Sequence, residues 1–404
     1  MAVIGAGAAG LGAGRRLAAA GVRAMVLEAA TRVGGRAHTV TPDGFCLDLG
    51  CSWLHSADQN PLAKLAPSLG FEVDTSPAAW TRPALDVNFP RADQQAYHAA
   101  FQRLQDRIEA AAGEQQDRPA SDLIPPGDQK WRPLLDAFSG YYNGVALDEV
   151  SVKDYAAYQP TAKNWRAPQG YGALIASLAR GLDIRLSTPV RRIRHDRERV
   201  EVVTDAGVLE ARVALIAVPT SIIAGGEISF EPALPDKIDA AAVLPLGHVE
   251  KAFLKLDEPG ALPIERRVYG RTDTAETGSY TLRPLAMPVV EGFFGGDLAS
   301  ALAEAGQGAK MAFAIDELAA VLGSDIRRRL SPLAESGWAD DPHIRGAYSH
   351  ARVGQSGARA VLARPVSGRL FFAGEACSPH AFSTAHGAFE SGVAAAQAAL
   401  AALG

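Results

Sequence analysis

At 404 residues, with 48% hydrophobic and 21% charged residues, the chain has an ordinary globular composition and length for two domains or one large α/β domain with insertions. Its formal net charge of −5 and the absence of any basic tract argue against a nucleic-acid-binding surface. The three cysteines, Cys46, Cys51 and Cys377, form neither a CxxC pair nor a disulfide framework, so the expected compartment is the cytoplasm.

The first elements stand at the very start. Ala2 to Gly10 reads A-V-I-G-A-G-A-A-G, an apolar run flowing into Gly5-x-Gly7-x-x-Gly10. Gly5 allows a tight turn, Gly7 lets the backbone approach a pyrophosphate, and Gly10 lets the following helix pack close to the strand. A helix is expected over Ala8 to Ala20, with its N-terminal N–H groups facing the phosphates. A second apolar run, Val22 to Leu27, ends in Glu28, where a carboxylate accepts hydrogen bonds from ribose hydroxyls. This is the layout of a dinucleotide-binding βαβ unit. The first strand begins almost at once, which leaves no length for a signal peptide.

Arg32 to Arg36 reads R-V-G-G-R, a Gly-Gly-Arg element often carried by proteins that bind FAD at an N-terminal Rossmann unit. Gly35 admits close backbone approach and Arg36 reaches phosphate or flavin edges. Asp48 to His55 then reads D-L-G-C-S-W-L-H, followed by Asn60-Pro61. This stretch resembles the flavin-dependent amine oxidases, above all their polyamine and spermine oxidase branch. The resemblance implies cofactor contacts at Gly50, Ser52 and Trp53. His55 either hydrogen-bonds a substrate amine, orients a water near the flavin, or is structural.

A polar, helix-prone region follows, roughly Asp93 to Glu149, interrupted at Pro125-Pro126-Gly127. Arg166 to Ala179 reads as a turn feeding an amphipathic helix. Ile184 to Leu186, Val190 to Ile193, Val200 to Thr204 and Val213 to Val218 read as strands, separated by turn signals at Thr188-Pro189, Asp205-Ala206-Gly207 and Pro219. A mixed region extends from about Ser229 to Glu335. Leu370 to Ala373 is a last strand, and the Ala-rich stretch Gly387 to Leu403 a packing helix. The apolar stretch around Val213 to Ala224 is too short to span a bilayer.

The alternation implies an α/β fold. The expectation is a Rossmann-type FAD-binding domain assembled from discontinuous segments (1–75, 166–228 and 336–404), with an α+β substrate-binding domain inserted in two pieces (76–165 and 229–335). The family resemblance points the same way.

Pro245 to Leu256 reads P-L-G-H-V-E-K-A-F-L-K-L. As a strand it places Val249, Lys251 and Phe253 on one face and Ala252, Leu254 and Leu256 on the other. A lysine among apolar neighbours is costly unless something requires it, and the chain has only eight lysines against 32 arginines. The resemblance implies that Lys251 reaches flavin N5 through a water; the alternative is an edge-strand lysine that snorkels to solvent. It also implies that Trp338 packs near the isoalloxazine, that Tyr348 walls the substrate channel, and that Val190 uses backbone groups to hold the adenine.

Gly368 to Ser391 reads G-R-L-F-F-A-G-E-A-C-S-P-H-A-F-S-T-A-H-G-A-F-E-S. The resemblance implies that Gly374-Glu375 closes a strand, with Glu375 on the ribose or ribityl chain, and that Thr384 and Ala385 contact the flavin where the last helix begins. A helix N-terminus suits the negative charge a flavin gathers on reduction. Thr384 also replaces the second tyrosine of the monoamine oxidase cage, as in the polyamine branch. Ala347 stands where monoamine oxidases carry the flavin-linking cysteine, which implies noncovalent FAD. His380 and His386 lack a third ligand at zinc spacing, so no metal is expected.

The implied activity is transfer of a hydride from the α-carbon of an amine, a polyamine or secondary amine favoured, to flavin N5. Reoxidation by O2 gives hydrogen peroxide, and hydrolysis of the imine gives an aldehyde. The expected partners are a small-molecule amine and O2, with no nucleic acid and no membrane; nothing in the sequence sets the oligomeric state. The alternatives are an L-amino-acid oxidase, with Arg82 gripping the carboxylate, another FAD-dependent dehydrogenase or desaturase of this fold, and a noncatalytic FAD-fold protein like the prenyl-GTPase escort factors.

Overall fold

The computed structural model describes residues 1–403. Ala2–Ile4 lies between Met25–Leu27 and Ala214–Ile216, parallel to both. Leu370–Phe372 and Asp183–Arg185 complete this five-stranded sheet, each parallel to its neighbour. Each strand is three residues long and drawn from a distant part of the chain. Alternation sends Val3, Val26, Leu215 and Phe371 to one face and Ile4, Leu27, Ile216 and Phe372 to the other. Both faces are covered, which is why these strands read as unbroken apolar runs. The first helix, Ala8–Ala19, packs on the last, Ala385–Ala402, through small residues. At Gly392 a Cβ would stand 1.9 Å from the Ala9 carbonyl oxygen, so the two backbones touch.

The middle strands appear as Asp183–Arg185, Val190–Arg194, Val200–Thr204 and Ala214–Ile216. Between the last two lies a strand that the sequence reading did not include. Gly207–Ala211 pairs with Val200–Thr204 across a tight turn and forms the edge of a four-stranded sheet. Its side chains are mostly exposed, so no apolar alternation announces it.

A second five-stranded sheet is wholly antiparallel. Its order is Arg266–Tyr269, Ser279–Leu282, Val289–Gly295, Val249–Leu256 and Leu330–Glu335. One face carries Leu254, Leu256, Tyr280, Leu282 and Phe294 against Leu298 and Leu318 of two covering helices, Gly296–Glu304 and Ala309–Leu322. On the other face Phe253 and Val289 meet Leu47. That contact brings the Lys251 face onto the Asp48 segment. Helices Arg91–Ala111 and Arg132–Asn143 occupy the polar region. Gln94, Tyr97, Ala100, Leu104, Ile108 and Ala111 form one buried stripe at helical spacing. Among the described residues, no helix is long and apolar enough to cross a membrane.

Candidate active site

The glycine-rich turn has the geometry its sequence demands. Gly5 adopts φ +98°, a left-handed conformation, and at Gly10 a Cβ would stand 1.8 Å from the Gly5 carbonyl oxygen. Gly7 precedes the helix without any side-chain cap, and no acidic residue occupies the first turn. Its nearest neighbours would lie 4.0 Å from an added Cβ, so the space above the helix N-terminus is open. Free N–H groups facing open space are an anion cradle. Glu28 is buried, with one carboxylate oxygen accepting from Ala6 N–H at 2.6 Å and the other from Ala30 N–H at 2.8 Å. It therefore pins the glycine turn, and its remaining lone pairs suit ribose hydroxyls.

The Gly-Gly-Arg element docks on this turn. Gly34 N–H donates to Ala6 O at 2.8 Å, and Gly35 lies against the Gly7 Cα. Arg36 then crosses to the C-terminal segment, donating to Ala347 O at 2.5 Å and to the Glu375 carboxylate at 2.9 Å. Glu375 is buried and also accepts from Ser349 Oγ at 2.6 Å, Ser349 N–H at 3.1 Å and Ser383 N–H at 2.9 Å. Burial opposes its ionisation, but Arg36, Arg359 and Ser349 outweigh that and hold the carboxyl below its ordinary range. Behind it, Arg359 donates to Ser349 Oγ at 2.8 Å and forks onto Asp154 at 2.7 and 2.8 Å. A small hollow opens beside Glu375, lined by Arg36, Val218, Pro219, Thr220 and Gly374 among others. The uncapped helix and the open Gly7 cradle fit the phosphates of FAD.

Lys251 is buried, and its ammonium meets three polar partners from other segments. It donates to Asp48 O at 3.1 Å and Ser52 Oγ at 3.0 Å, and it pairs with the Glu291 carboxylate at 2.9 Å. Its same-face neighbours along the strand are apolar, as the sequence reads, and the polar partners come from other segments. The Asp48 carboxylate points elsewhere, accepting from Thr39 Oγ1 at 2.5 Å, Tyr171 N–H at 2.8 Å and Gly172 N–H at 3.0 Å. Burial raises its carboxyl above the ordinary range against those donors and Lys251. Burial likewise pushes the Cys51 thiol up to about 12, so it is an inert thiol. Gly50 lies against Arg36 O, where a Cβ would stand 1.8 Å away.

Trp338 closes one side, its indole N–H donating to Leu49 O at 2.9 Å. Its backbone is held by Glu250, which accepts Trp338 N–H at 2.8 Å and also engages Ser336, whose Oγ accepts Lys251 N–H at 2.7 Å. Trp53 packs edge-on against Trp80 with centroids 4.2 Å apart, under the Arg166 guanidinium at 4.7 Å. His55 lies 6.4 Å from the Trp80 ring. Its Nδ1 is 2.7 Å from Asn164 Oδ1, so the proton sits on Nδ1 and Nε2 keeps a lone pair. Burial lowers its pKa, with the Lys251 charge adding to the effect, so the ring stays neutral.

Tyr348 donates its hydroxyl to Tyr141 O, which fixes its ring. Thr384 has a role that the sequence reading did not include. Its hydroxyl donates to Ala381 O at 2.6 Å and accepts Gly387 N–H at 3.0 Å, capping the last helix at Ala385. Val190 is buried at the start of its strand opposite Thr204. Arg82 is exposed at the end of a short turn beside Trp80 and makes no ion pair among the described residues. His386 is buried and held neutral, pushed down to about 4 by burial, whereas His380 is exposed.

The residues that sequence reasoning missed are the partners. Glu291, Arg359 and Asp154 lie outside the motifs, whereas Glu250 and Ser349 directly adjoin Lys251 and Tyr348. The available signal was a carboxylate inside an apolar strand, as in V-V-E-G-F-F for Glu291.

Comparison with known proteins agrees with this geometry. The family model for flavin containing amine oxidoreductases matches residues 8–125 and 121–400. Polyamine oxidase 2 of Arabidopsis thaliana is 30% identical over 98% of this chain and 86% of its own length. Polyamine oxidase 3 of Oryza sativa subsp. japonica is 30% identical over 98% of this chain and 88% of its own. Lysine-specific histone demethylase 1 homolog 3 of the same rice is also 30% identical, over 97% of this chain but 52% of its own length. With the glycine turn, the Arg36–Glu375 bridge and a match running through nearly the whole sequence, the chain belongs to the flavin-containing amine oxidoreductase family and is an FAD-dependent amine oxidase.

Proposed function

We propose that the protein oxidises a polyamine or another secondary amine at the carbon next to nitrogen, with O2 as final acceptor and an aldehyde and smaller amine as products. The observation that carries this reading is the join between Lys251 and the Asp48–Ser52 segment, itself tied through Arg36 to Glu375. When bound, FAD supplies the hydride acceptor and passes the electrons to oxygen. The protein binds it without a covalent link, since Ala347 offers no thiol. Residues 1–75, 166–228 and 336–404 form the cofactor-binding body, and 76–165 with 229–335 cover the substrate.

The chain's own residues then have distinct tasks. The neutral His55 Nε2 accepts a hydrogen bond from the substrate amine, which reacts unprotonated because a protonated nitrogen has no lone pair to expel hydride. Trp53, Trp80 and Tyr348 wall the site and keep bulk water out. Trp338, held by Glu250, would pack against the cofactor. Working localisation is the cytoplasm, from cysteine usage.

The test is anaerobic mixing with spermine, spermidine, their acetylated forms, putrescine, benzylamine and several L-amino acids, scored by bleaching of the flavin. The polyamines and their acetylated forms are expected to bleach it fastest. Bleaching by amino acids alone would discard this substrate class and return Arg82 as the carboxylate grip.

Lys251→Met keeps most of the side-chain volume and removes the charge. Negative charge develops as oxygen is reduced, and a buried cation stabilises it. Stopped-flow analysis is expected to show the oxygen-linked half-reaction slowed about tenfold, equivalent to about 1.4 kcal/mol, with the amine-linked half less affected. Unchanged rates in both halves would leave Lys251 a structural strand lysine.

A further inference from the structure

Glu291 stands in a strand that the sequence reads as apolar. Val289–Gly295 runs antiparallel to Val249–Leu256, with Phe253 opposite Glu291 and Lys251 opposite Phe293. Lys251 and Glu291 are therefore diagonal neighbours on one sheet face, within reach of long side chains. The contact distance is 2.9 Å, and the side chains are 5% and 19% exposed. The ammonium is enclosed, while the carboxylate keeps a path to open space.

No other acid competes for this position. The Asp48 carboxylate faces Thr39, Tyr171 and Gly172, and only its backbone carbonyl accepts from Lys251. Glu250 is next in the strand, but its carboxylate engages Ser336 and the backbone of Trp338 and Ala339. Cys51 stays a thiol and His55 a neutral ring. Arg36 already belongs to Glu375. Among the described residues, Glu291 alone forms an ion pair with Lys251.

Building on the reading that places Lys251 beside the flavin, we propose that Glu291 is the counter-ion of Lys251, so that the lysine stands beside the reacting centre as one half of a pair without net charge. Two consequences follow from Coulomb's law at short range in a poorly solvated site. A cationic amine approaches without repulsion from the lysine. The electron affinity of the site is held below what a lone ammonium would impose, because a reduced flavin carries negative charge.

The experiment uses holoenzyme and three variants: Glu291→Gln, Lys251→Met and the double substitution. The first measurement is the flavin's reduced-to-oxidised ratio against a reference dye. Glu291→Gln leaves one unbalanced positive charge and is expected to raise that ratio about tenfold, an upward shift of about 30 mV for a two-electron couple. Lys251→Met is expected to lower it. The second measurement is denaturant unfolding. Each single substitution strands a buried charge, so the double variant is expected to be no less stable than either single. An unchanged or lowered ratio in Glu291→Gln overturns the proposal, because a residue that merely positions the lysine would let the cation drift away. Additive losses of stability also overturn it, since they mean no pair exists. A coupled pair with no change of ratio in any variant places Lys251 away from the flavin, which refutes that placement and the proposal with it. The substrate panel on unmodified enzyme tests the amine oxidation separately.

Discussion

Arg359→Ala is expected to lower the stability of the protein by about 3–5 kcal/mol, the usual consequence of stranding one member of a buried ion pair. Arg359 and Asp154 have side chains only 5% exposed, and the guanidinium meets the carboxylate through two parallel hydrogen bonds of 2.7 and 2.8 Å. The same guanidinium donates to Ser349 Oγ and O and lies 3.8 Å from the centre of the Phe382 ring. Alanine leaves Asp154 with Ala351 N–H, at 3.0 Å, as its remaining donor. Lysine is a poor substitute, because it is a point charge and not a planar fork. The loss reaches the cofactor. Ser349 bridges Arg359 to Glu375, so FAD retention is expected to weaken along with the fold. Denaturant unfolding of Arg359→Ala, Asp154→Ala and the double variant measures this. The double variant is expected to lose much less than the sum of the singles. A midpoint close to wild type in Arg359→Ala would mean that the network contributes nothing.

The second large effect contrasts two glycines three residues apart. Gly10→Ala puts a methyl group 1.8 Å from the Gly5 carbonyl oxygen, a backbone atom that cannot turn aside. Overpacking of close-packed interiors costs about 1–3 kcal/mol or more, and this overlap lies at the severe end. Gly10→Ala is therefore expected to be poorly soluble or to purify without flavin. Gly7→Ala is different. Its φ of −74° suits alanine, and no atom comes closer than 4.0 Å to the added Cβ. Its apoprotein is expected to unfold within about 0.5 kcal/mol of wild type. Its affinity for FAD is expected to fall at least tenfold, about 1.4 kcal/mol, because the methyl occupies the cradle over the helix N-terminus. Equilibrium binding of FAD to the apoprotein and calorimetry of the apo forms give both quantities. Wild-type FAD affinity in Gly7→Ala would show that the phosphates lie elsewhere.

The features legible in the sequence share one property: their chemistry is local. Gly5 needs its left-handed φ because of a turn confined to its neighbours. Gly10 needs its missing Cβ because helix and strand meet within a few residues. Glu28 follows its strand directly, and Lys251 was conspicuous because its strand neighbours are apolar. Such constraints act along the chain, so residue order alone carries the nucleotide-binding turn, the Gly-Gly-Arg element and the Lys251 strand. Gly207–Ala211 escaped because an exposed edge strand has no buried face to impose alternation. What surrounds Lys251, Glu375 and Thr384 was decided only by tertiary structure. Lys251 meets Glu291 because two antiparallel strands settle into one register, and a slip of one residue would turn Glu291 to the opposite face. Arg36 reaches Glu375, and Arg359 reaches Asp154, only after segments far apart in sequence join around the parallel sheet. Whether a buried charge is paired depends on what folding brings within about 3 Å of it, and residue order carries no record of that distance.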